Sequence, residues 1–243
     1  MLACLAAPAR AEELADLKRL SIEELANLEI SSVSRTPEPV SGAPAAIYVI
    51  TGEEVRRSSQ TSLPEVLRLA PNLQVARIDA GDYAISARGF TSGISNKLLV
   101  LIDGRMVYTP LYSGVYWDMQ AVPPGDIERI EVISGPGGAL WGSNAVNGVI
   151  NVVTRDAADA PGPLVRFSGG SADWSGTAQY SGLIGGSGAY RVYGMASRYG
   201  DTVQGDIYDV SAQHSFGLGE RHSIVWGGGY RVFTDNLMPE VNT

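Results

Sequence analysis

The chain has few of the residue types that build disulfide, metal and nucleic-acid sites. Its 243 residues include one cysteine, Cys4, and two histidines, which excludes an intramolecular disulfide and leaves little for a metal centre. The 18 Lys and Arg residues are outnumbered by 26 Asp and Glu, and they form no basic stripe, so no nucleic-acid partner is expected. No apolar run approaches the ~18 residues that a membrane-spanning helix requires. We therefore expect no cofactor, no metal and no enzymatic activity.

The N-terminal 45 residues divide into three parts. Residues 1–11 (MLACLAAPARA) are apolar and end in an A-x-A pattern, which predicts a remnant of a secretory signal peptide, although the basic start of such a signal is missing. An ordinary alanine-rich terminus is the alternative. Residues 12–28 place leucines at helical spacing, and Ser21 with Glu24 forms a capping box. The Ser- and Pro-rich segment that follows predicts an extended linker up to residue 45.

Residues 46–160 predict a compact α+β domain, with short helices among five or six short strands. The segment AIYVIT has strand character, and capping boxes at Thr51–Glu54 and Ser62–Glu65 predict that a short helix begins after each. Asp103–Gly104 marks a tight turn between two strands.

Residues 161–243 have a different pattern, with strands of about ten residues separated by Gly, Ser or Asp turns. In IYDVSAQHSF, Tyr208, Val210 and Phe216 alternate with polar residues, and Trp226 and Tyr230 lie on one face of SIVWGGGYRV. This length and alternation fit transmembrane β-strands, which need ~9–11 residues each, and they fit a soluble β-sandwich equally well. The predicted signal peptide favours the outer membrane. About five strands cannot close a barrel, so a fragment with an incomplete transmembrane β-barrel is expected.

Residues 134–148 (SGPGGALWGSNAVNG) hold five glycines between two apolar runs, which raises the question of a phosphate-binding loop. A Walker A loop needs Lys before Ser143, and that position is Gly142. A dinucleotide fingerprint needs glycine where Leu140 stands, followed by a helix, but the next segment reads as a strand. The loop is therefore interpreted as a sharp reversal between two strands, with Trp141 as a packing anchor.

The segment IERIEVISGPGGALWGSNAVNGVINVVT (127–154) resembles the C-terminal half of the plug domain of TonB-dependent outer-membrane receptors. YVITGEEV, SLPEVLRLAPNLQV, ARGF and LVLIDGRMVY precede it in that family's order, so the resemblance covers about residues 28–160. Two positions depart from the family pattern: Ser134 replaces the usual Arg before Gly-Pro, and Asn147 stands where Gly is common. The first departure puts one plug-to-barrel charge contact in doubt.

The resemblance implies an α+β plug, with a small mixed sheet and short helices, inside a 22-stranded barrel of which residues 161–243 are the first strands. It implies import of a scarce bulky solute, a ferric siderophore, haem or a cobalamin, across the bacterial outer membrane, with the N-terminus in the periplasm. The expected partners are an inner-membrane TonB-type protein, the solute and outer-membrane lipid, and the expected state is a monomer. The alternative is a plug-like periplasmic binding or signalling module with a small soluble β-sheet.

The resemblance also places a TonB box, the segment that the energising protein binds, at LEISSV. An extended segment of this kind can add as a strand to a partner sheet through its main-chain hydrogen bonds. A plain linker is the alternative interpretation. The box comprises Leu28, Glu29, Ile30, Ser31, Ser32 and Val33.

Two further sets of residues follow from position in the family. Loops 77–83, 91–96 and 108–117 are expected to face the solute, and the aromatic side chains of the last loop either stack on a flat or aryl-rich ligand or pack against the barrel wall. The solute-facing set is Arg77, Asp79, Tyr83, Ser95, Asn96, Tyr108, Tyr112, Tyr116 and Trp117. The residues expected to hold the plug to the barrel are Arg88, Arg105, Arg129 and Glu131, with solvated surface charge as the alternative for Arg129.

Overall fold

The computed structural model describes residues 29–30, 38–39, 46–78, 81–89, 97–109, 114–142, 144–159, 161–170, 173–185, 188–199, 204–218 and 222–236. The predicted signal peptide, the 12–28 helix and most of the linker lie outside these ranges. So do the following predicted site residues: Leu28, Ser31, Ser32, Val33, Asp79, Ser95, Asn96 and Tyr112.

The chain forms two units, Met1–Ala45 and Ala46–Thr243. In the first unit, strand β1 (Glu29–Ile30) pairs antiparallel with β2 (Glu38–Pro39), so that Ile30 lies opposite Glu38. The backbone of the predicted TonB box is therefore extended at these two positions.

The second unit contains a mixed five-stranded sheet in the order β3-β8-β9-β6-β7. Neighbouring strands of this sheet pair antiparallel, except that β6 and β9 pair parallel with each other. A separate hairpin of β4 and β5 accompanies it. The strands are β3 (Ala46–Thr51), β4 (Gln74–Arg77), β5 (Tyr83–Ser86), β6 (Leu98–Ile102), β7 (Arg105–Met106), β8 (Ile127–Ser134) and β9 (Gly148–Thr154).

Helix α1 (Gly52–Ser58) begins as predicted, because Thr51 and Glu54 form both hydrogen bonds of a capping box. Helix α2 (Leu63–Val66) begins where predicted, but the prediction of a capping box is wrong, since Ser62 makes no side-chain cap bond. The Glu65 carboxylate instead accepts hydrogen bonds from Arg68 and Tyr83. Within the described ranges, none of the helices combines the length and apolar character needed to cross a membrane.

The two predicted reversals differ in their outcome. At the β6–β7 turn, Asp103 and Gly104 have φ values of +48° and +75°, as a two-residue hairpin turn requires. The glycine-rich segment 134–148 does connect neighbouring strands β8 and β9, but it also holds a short helix α3 (Gly138–Trp141) that the sequence pattern did not predict. Glycine is required at Gly148, where a Cβ would lie 2.3 Å from the Ile133 carbonyl oxygen.

The core lies on the face of the mixed sheet that the helices cover. β6 is buried along its whole length, which explains its continuous apolar sequence LLVLI. The largest fully buried aliphatic side chains include those of Ile50, Leu63, Leu67, Leu99, Ile130 and Ile150.

The other sheet of this unit is antiparallel and ordered β10-β11-β12-β13-β14, with hairpin connections throughout. Its register confirms the predicted alternation, because Tyr208, Val210 and Phe216 lie opposite Val232, Tyr230 and Ile224 on one face. This face, the free face, is apolar and exposed, with Phe167 76% and Tyr230 74% accessible. The opposite face, the contact face, packs on the mixed-sheet domain. The strands are β10 (Gly162–Gly169), β11 (Trp174–Ile184), β12 (Gly188–Tyr199), β13 (Gln204–Leu218) and β14 (His222–Asn236).

Candidate functional site at the interface of the two sheets

Arg191 is the central residue of the interface between the two sheets. It lies on the contact face of β12, since successive residues of a strand point to opposite faces of the sheet. Its side chain is only 6% exposed. Its Nη1 donates to the Asp126 carboxylate at 2.8 Å and to the Arg155 carbonyl at 2.6 Å. Its Nη2 donates to Thr154 Oγ1 at 3.0 Å and to Gln213 Oε1 at 2.8 Å. One guanidinium thus binds both the mixed sheet and the neighbouring strand β13.

Asp126 ends a short 3-10 turn (Pro124–Asp126) immediately before β8, and its side chain is 2% exposed. Burial raises the pKa of this carboxyl above its ordinary value, because the charged form loses its hydration, and the positive charge of Arg191 opposes that rise. Its Oδ1 is buried without a hydrogen-bond partner. The ion pair is therefore one that is costly to break, since either charge left alone would be buried.

Thr154 connects the Arg191 cluster to the β6–β7 turn. The Asp103 carboxylate accepts hydrogen bonds from Thr154 N at 2.8 Å and Thr154 Oγ1 at 2.9 Å. Since Thr154 Oγ1 also accepts from Arg191, a continuous chain of hydrogen bonds runs from the turn, across the end of β9, to the contact face. This chain fixes the position of the mixed sheet against β12.

A second arginine of the contact face binds backbone carbonyls of the mixed-sheet domain. Arg231, on β14, donates to the carbonyl oxygens of Met119 and Ala121, and its Nε forms an ion pair with Asp209 at 2.7 Å. Beside Arg231, Ala121 packs with two buried contact-face residues, Met195 and Ile207. The interface is thus polar at two points, with a small apolar contact next to the second.

A cavity of about 740 Å³ adjoins these contacts. The β6–β7 turn and the segment before Asp126 line one side, and β12, β13 and β14 line the other. Its charged lining residues are Asp103, Arg105, Asp126, Arg191, Asp209 and Arg231. In the described ranges, no three His, Cys, Asp or Glu side chains converge as a metal site would require.

The residues predicted to hold the plug to the barrel are not the ones that make these contacts. Arg129 pairs with Glu128 and Glu131 of its own strand at 2.5 Å and 2.8 Å. Glu131 is fully buried and also accepts from Asn151 of β9. These contacts of Arg129 and Glu131 lie within the mixed sheet, and their role in holding the plug to the barrel stays a prediction. Arg105, by contrast, is exposed and lines the cavity.

The remaining member of that set, Arg88, has a positive φ of +59°. One of its guanidinium nitrogens lies 3.9 Å from the position that a Cβ on Gly135 would take. Its position is therefore beside the glycine-rich segment of the same domain.

The residues expected to face the solute divide by burial. The ring of Tyr83 is buried, and its hydroxyl donates to Glu65 at 2.8 Å, while Trp117 belongs to the core cluster. Both side chains therefore pack within the mixed-sheet domain. Tyr108 and Tyr116 are half-buried, and Arg77 is within 4.0 Å of Asp173, just before β11.

Burial also affects the Glu65–Tyr83 pair. Burial is the largest influence on Glu65 and would raise its pKa, but hydrogen bonds from Arg68 and Tyr83 outweigh it, and the pKa lies below its ordinary value. The same burial, together with the neighbouring carboxylate, raises the pKa of Tyr83.

Asp126, Arg191 and Arg231 were not among the residues predicted to join the plug to the strands. The two arginines could have been identified from the sequence, because each stands at an inward position of an alternating strand, where a charged side chain needs a partner. No such periodicity marks Asp126, which precedes a strand in a turn.

Comparison with known proteins agrees with this architecture. Residues 39–149 match the family described as TonB-dependent Receptor Plug Domain. The chain is 35% identical over 144 residues to the vitamin B12 transporter BtuB of Vibrio vulnificus and 33% identical over 147 residues to that of Photobacterium profundum. These alignments cover 58% and 59% of the chain, which spans 23% of the length of each relative.

Solved structures of receptors share the fold. The pyoverdine outer membrane receptor FpvA from Pseudomonas aeruginosa superposes with a TM-score of 0.67 at 19% identity, over 84% of this chain and 30% of that one. The ferric-catecholate import receptor Fiu from E. coli superposes with a TM-score of 0.62 at 26% identity, over 81% of this chain and 28% of that one. The antiparallel strands do not close into a barrel within the described residues. Residues 39–149 therefore form a plug domain of the TonB-dependent receptor family, and antiparallel strands follow it along the chain.

Proposed function

We propose that this chain provides the plug and the first wall strands of a transporter that imports a scarce bulky solute across the bacterial outer membrane, energised by TonB. Residues 46–160 form the plug and residues 161–243 the wall. The solute is bound and moved, and none of its bonds is broken. The relatives are named as transporters of vitamin B12 or as receptors for ferric siderophores, so a cobalamin or an iron chelate is the proposed solute class.

The polarity of the two faces of the antiparallel sheet is the observation that carries this proposal. Large apolar side chains cover the free face, including Val165, Phe167, Trp226 and Tyr230, each more than half exposed. The contact face instead buries polar side chains: Thr177, Gln179, Ser181, Arg191, Ser197 and Asp209. A soluble antiparallel sheet has the opposite pattern, with its apolar face covered and its polar face in water. Apolar outside and polar inside is the pattern of an outer-membrane barrel, and it favours the transporter over the periplasmic module.

Energy coupling in this proposal depends on the extended segment at β1. A partner sheet would recognise its main-chain groups, so the amide N–H of Ile30 matters more than its side chain. Proline at this position removes the N–H donor and fixes φ, whereas alanine keeps both the donor and the conformational freedom.

The test is uptake by a receptor-deletion strain that carries the gene encoding this chain, measured with labelled cyanocobalamin and, separately, with ferric siderophores. We expect TonB-dependent uptake of one of these solutes, loss of that uptake in Ile30→Pro, and retention in Ile30→Ala. Both variants should reach the outer membrane at the wild-type level. Uptake that is the same with and without TonB would contradict the transport proposal, while normal uptake by Ile30→Pro would show that the TonB box lies elsewhere.

A further inference from the structure

A second cavity, of about 250 Å³, lies between the end of helix α1 and strands β10 and β11. Two arginines line it, Arg56 from α1 and Arg166 from β10. Hydroxyl groups complete much of the remaining lining, from Ser59 and Thr61 after α1 and from Ser168 and Ser175 on the strands. The cavity therefore contains hydrogen-bond donors and positive charge.

Arg166 is held in place by packing. Its guanidinium lies over Gly125, with Nε and Cζ 3.1 and 3.2 Å from the position that a Cβ on this glycine would take. In the parts of the chain that the structure describes, its side chain makes no hydrogen bond or ion pair. A guanidinium positioned in this way presents its donors without an acceptor.

A third guanidinium, that of Arg155, adds to the same positive field. Burial is the main cause that lowers the pKa of Arg155; the charges of Arg56 and Arg166 lower it further, and those of Asp126 and Glu128 raise it. The side chain of Arg155 likewise makes no hydrogen bond or ion pair within the described residues.

Each carboxylate near these arginines is already paired. Glu53 binds Arg56 of the cavity at 2.9 Å, whereas Asp126 and Glu128 bind arginines that do not line it, Arg191 at 2.8 Å and Arg129 at 2.5 Å. Positive charge therefore exceeds negative charge around the cavity. Gathering like charges in a partly buried space is unfavourable unless an anion neutralises them.

One buried hydroxyl adjoins the cavity without a partner. Ser197 is 1% exposed, and its Oγ has no hydrogen-bond partner. It lies directly opposite Ser175, which lines the cavity, in the β11–β12 register.

We propose that this cavity binds a small oxyanion, such as a phosphate or carboxylate group, through Arg166, with added positive charge from Arg56 and hydroxyl donors from Ser168 and Ser175. The planar fork of a guanidinium matches the oxygens of such an anion and forms charge-assisted hydrogen bonds with it. The anion would connect the plug to β10 and β11, at a different place from the Arg191 contact. The proposal does not depend on the solute that the protein transports.

The experiment uses the full chain in detergent, in a buffer free of phosphate, with inorganic phosphate as the probe. A ligand that binds only the folded state raises the unfolding temperature as its concentration increases. We expect phosphate to raise it more than chloride does at equal ionic strength. Arg166→Gln should weaken the apparent phosphate affinity about tenfold or more.

Arg57→Gln is the matched control. It also removes one positive charge, but from an exposed position on α1 that does not line the cavity. This variant should keep the wild-type response to phosphate. In the absence of phosphate, Arg166→Gln should unfold at the wild-type temperature or above it, because it relieves repulsion between like charges. The proposal is overturned if phosphate stabilises no more than chloride, or if Arg57→Gln reduces the response as much as Arg166→Gln.

Discussion

Replacing Arg191 with methionine tests whether this side chain holds the two sheets together. Methionine has a similar length and no hydrogen-bonding group, so the change removes four hydrogen bonds with minimal loss of volume. Thr154 and Gln213 lose one donor each, but the main effect falls on Asp126. Its carboxylate stays buried next to the interface without its counter-charge.

The expected magnitude follows from that uncompensated charge. Removing one partner of a buried ion pair typically lowers the free energy of unfolding by about 3–5 kcal/mol. A surface ion pair contributes about 0–1 kcal/mol, so Arg57→Gln, which breaks an exposed pair with Glu53, should have little effect. Replacing both partners, Arg191→Met with Asp126→Leu, should cost less than Arg191→Met alone, because no charge is then left buried.

The pH dependence of this destabilisation provides a second, independent test of the ion pair between Arg191 and Asp126. The pKa of Asp126 is already raised by burial, and loss of Arg191 removes the charge that opposes the rise. A raised pKa in the folded state means that folding favours the protonated carboxyl. The stability associated with this group is thus fully present below the unfolded pKa of about 3.9 and is lost as pH rises through the folded value. The destabilisation by Arg191→Met should therefore be largest at neutral pH and shrink as the pH approaches 4.

Urea unfolding of the full chain in detergent, followed by tryptophan fluorescence at pH 7 and pH 4, measures both quantities. Wild type, Arg191→Met, Arg57→Gln and the double variant are compared at each pH. The reasoning fails if Arg191→Met and Arg57→Gln differ by less than about 1 kcal/mol at pH 7. It also fails if the effect of Arg191→Met is the same at both pH values.

Two further predictions, one on packing at Gly148 and one on the Glu65 site, are tested by the same urea assay. Gly148→Ala places a Cβ 2.3 Å from the Ile133 carbonyl oxygen and should destabilise by about 1–3 kcal/mol or more, whereas Gly138→Ala, in open space on a helix, should be neutral or stabilising. Equal effects of the two would contradict the packing argument. Tyr83→Phe should cost about 1–2 kcal/mol at neutral pH, because its hydroxyl donates to a partly buried carboxylate. Since the pKa of Glu65 is lowered, this contribution is present above the unfolded pKa of about 4.3 and declines as pH falls through the folded value; a loss that grows at low pH would refute it.

Local patterns predicted the elements that depend on neighbouring residues. Thr51 and Glu54 form the predicted cap because both partners lie within one helical turn. Asp103–Gly104 forms the predicted turn because both residues tolerate positive φ. The alternation of β13 placed Tyr208 on the correct face because strand side chains have a period of two.

Predictions failed where a distant group competed for the same atoms. Ser62 and Glu65 have the spacing of a capping box, but the Glu65 carboxylate is taken by Arg68 and by Tyr83, 18 residues away. Sequence spacing does not reveal which of several possible partners a side chain meets.

The sequence alone determined the order of elements, the polarity of each strand face and the family resemblance, since each is encoded in short segments of the chain. Only the tertiary structure decided which side chains join the two sheets. Asp126 and Arg191 are separated by 65 positions in the sequence, and no local pattern relates them. Their contact arises because the 3-10 turn before β8 packs against the inward face of β12, where a buried cation requires a carboxylate.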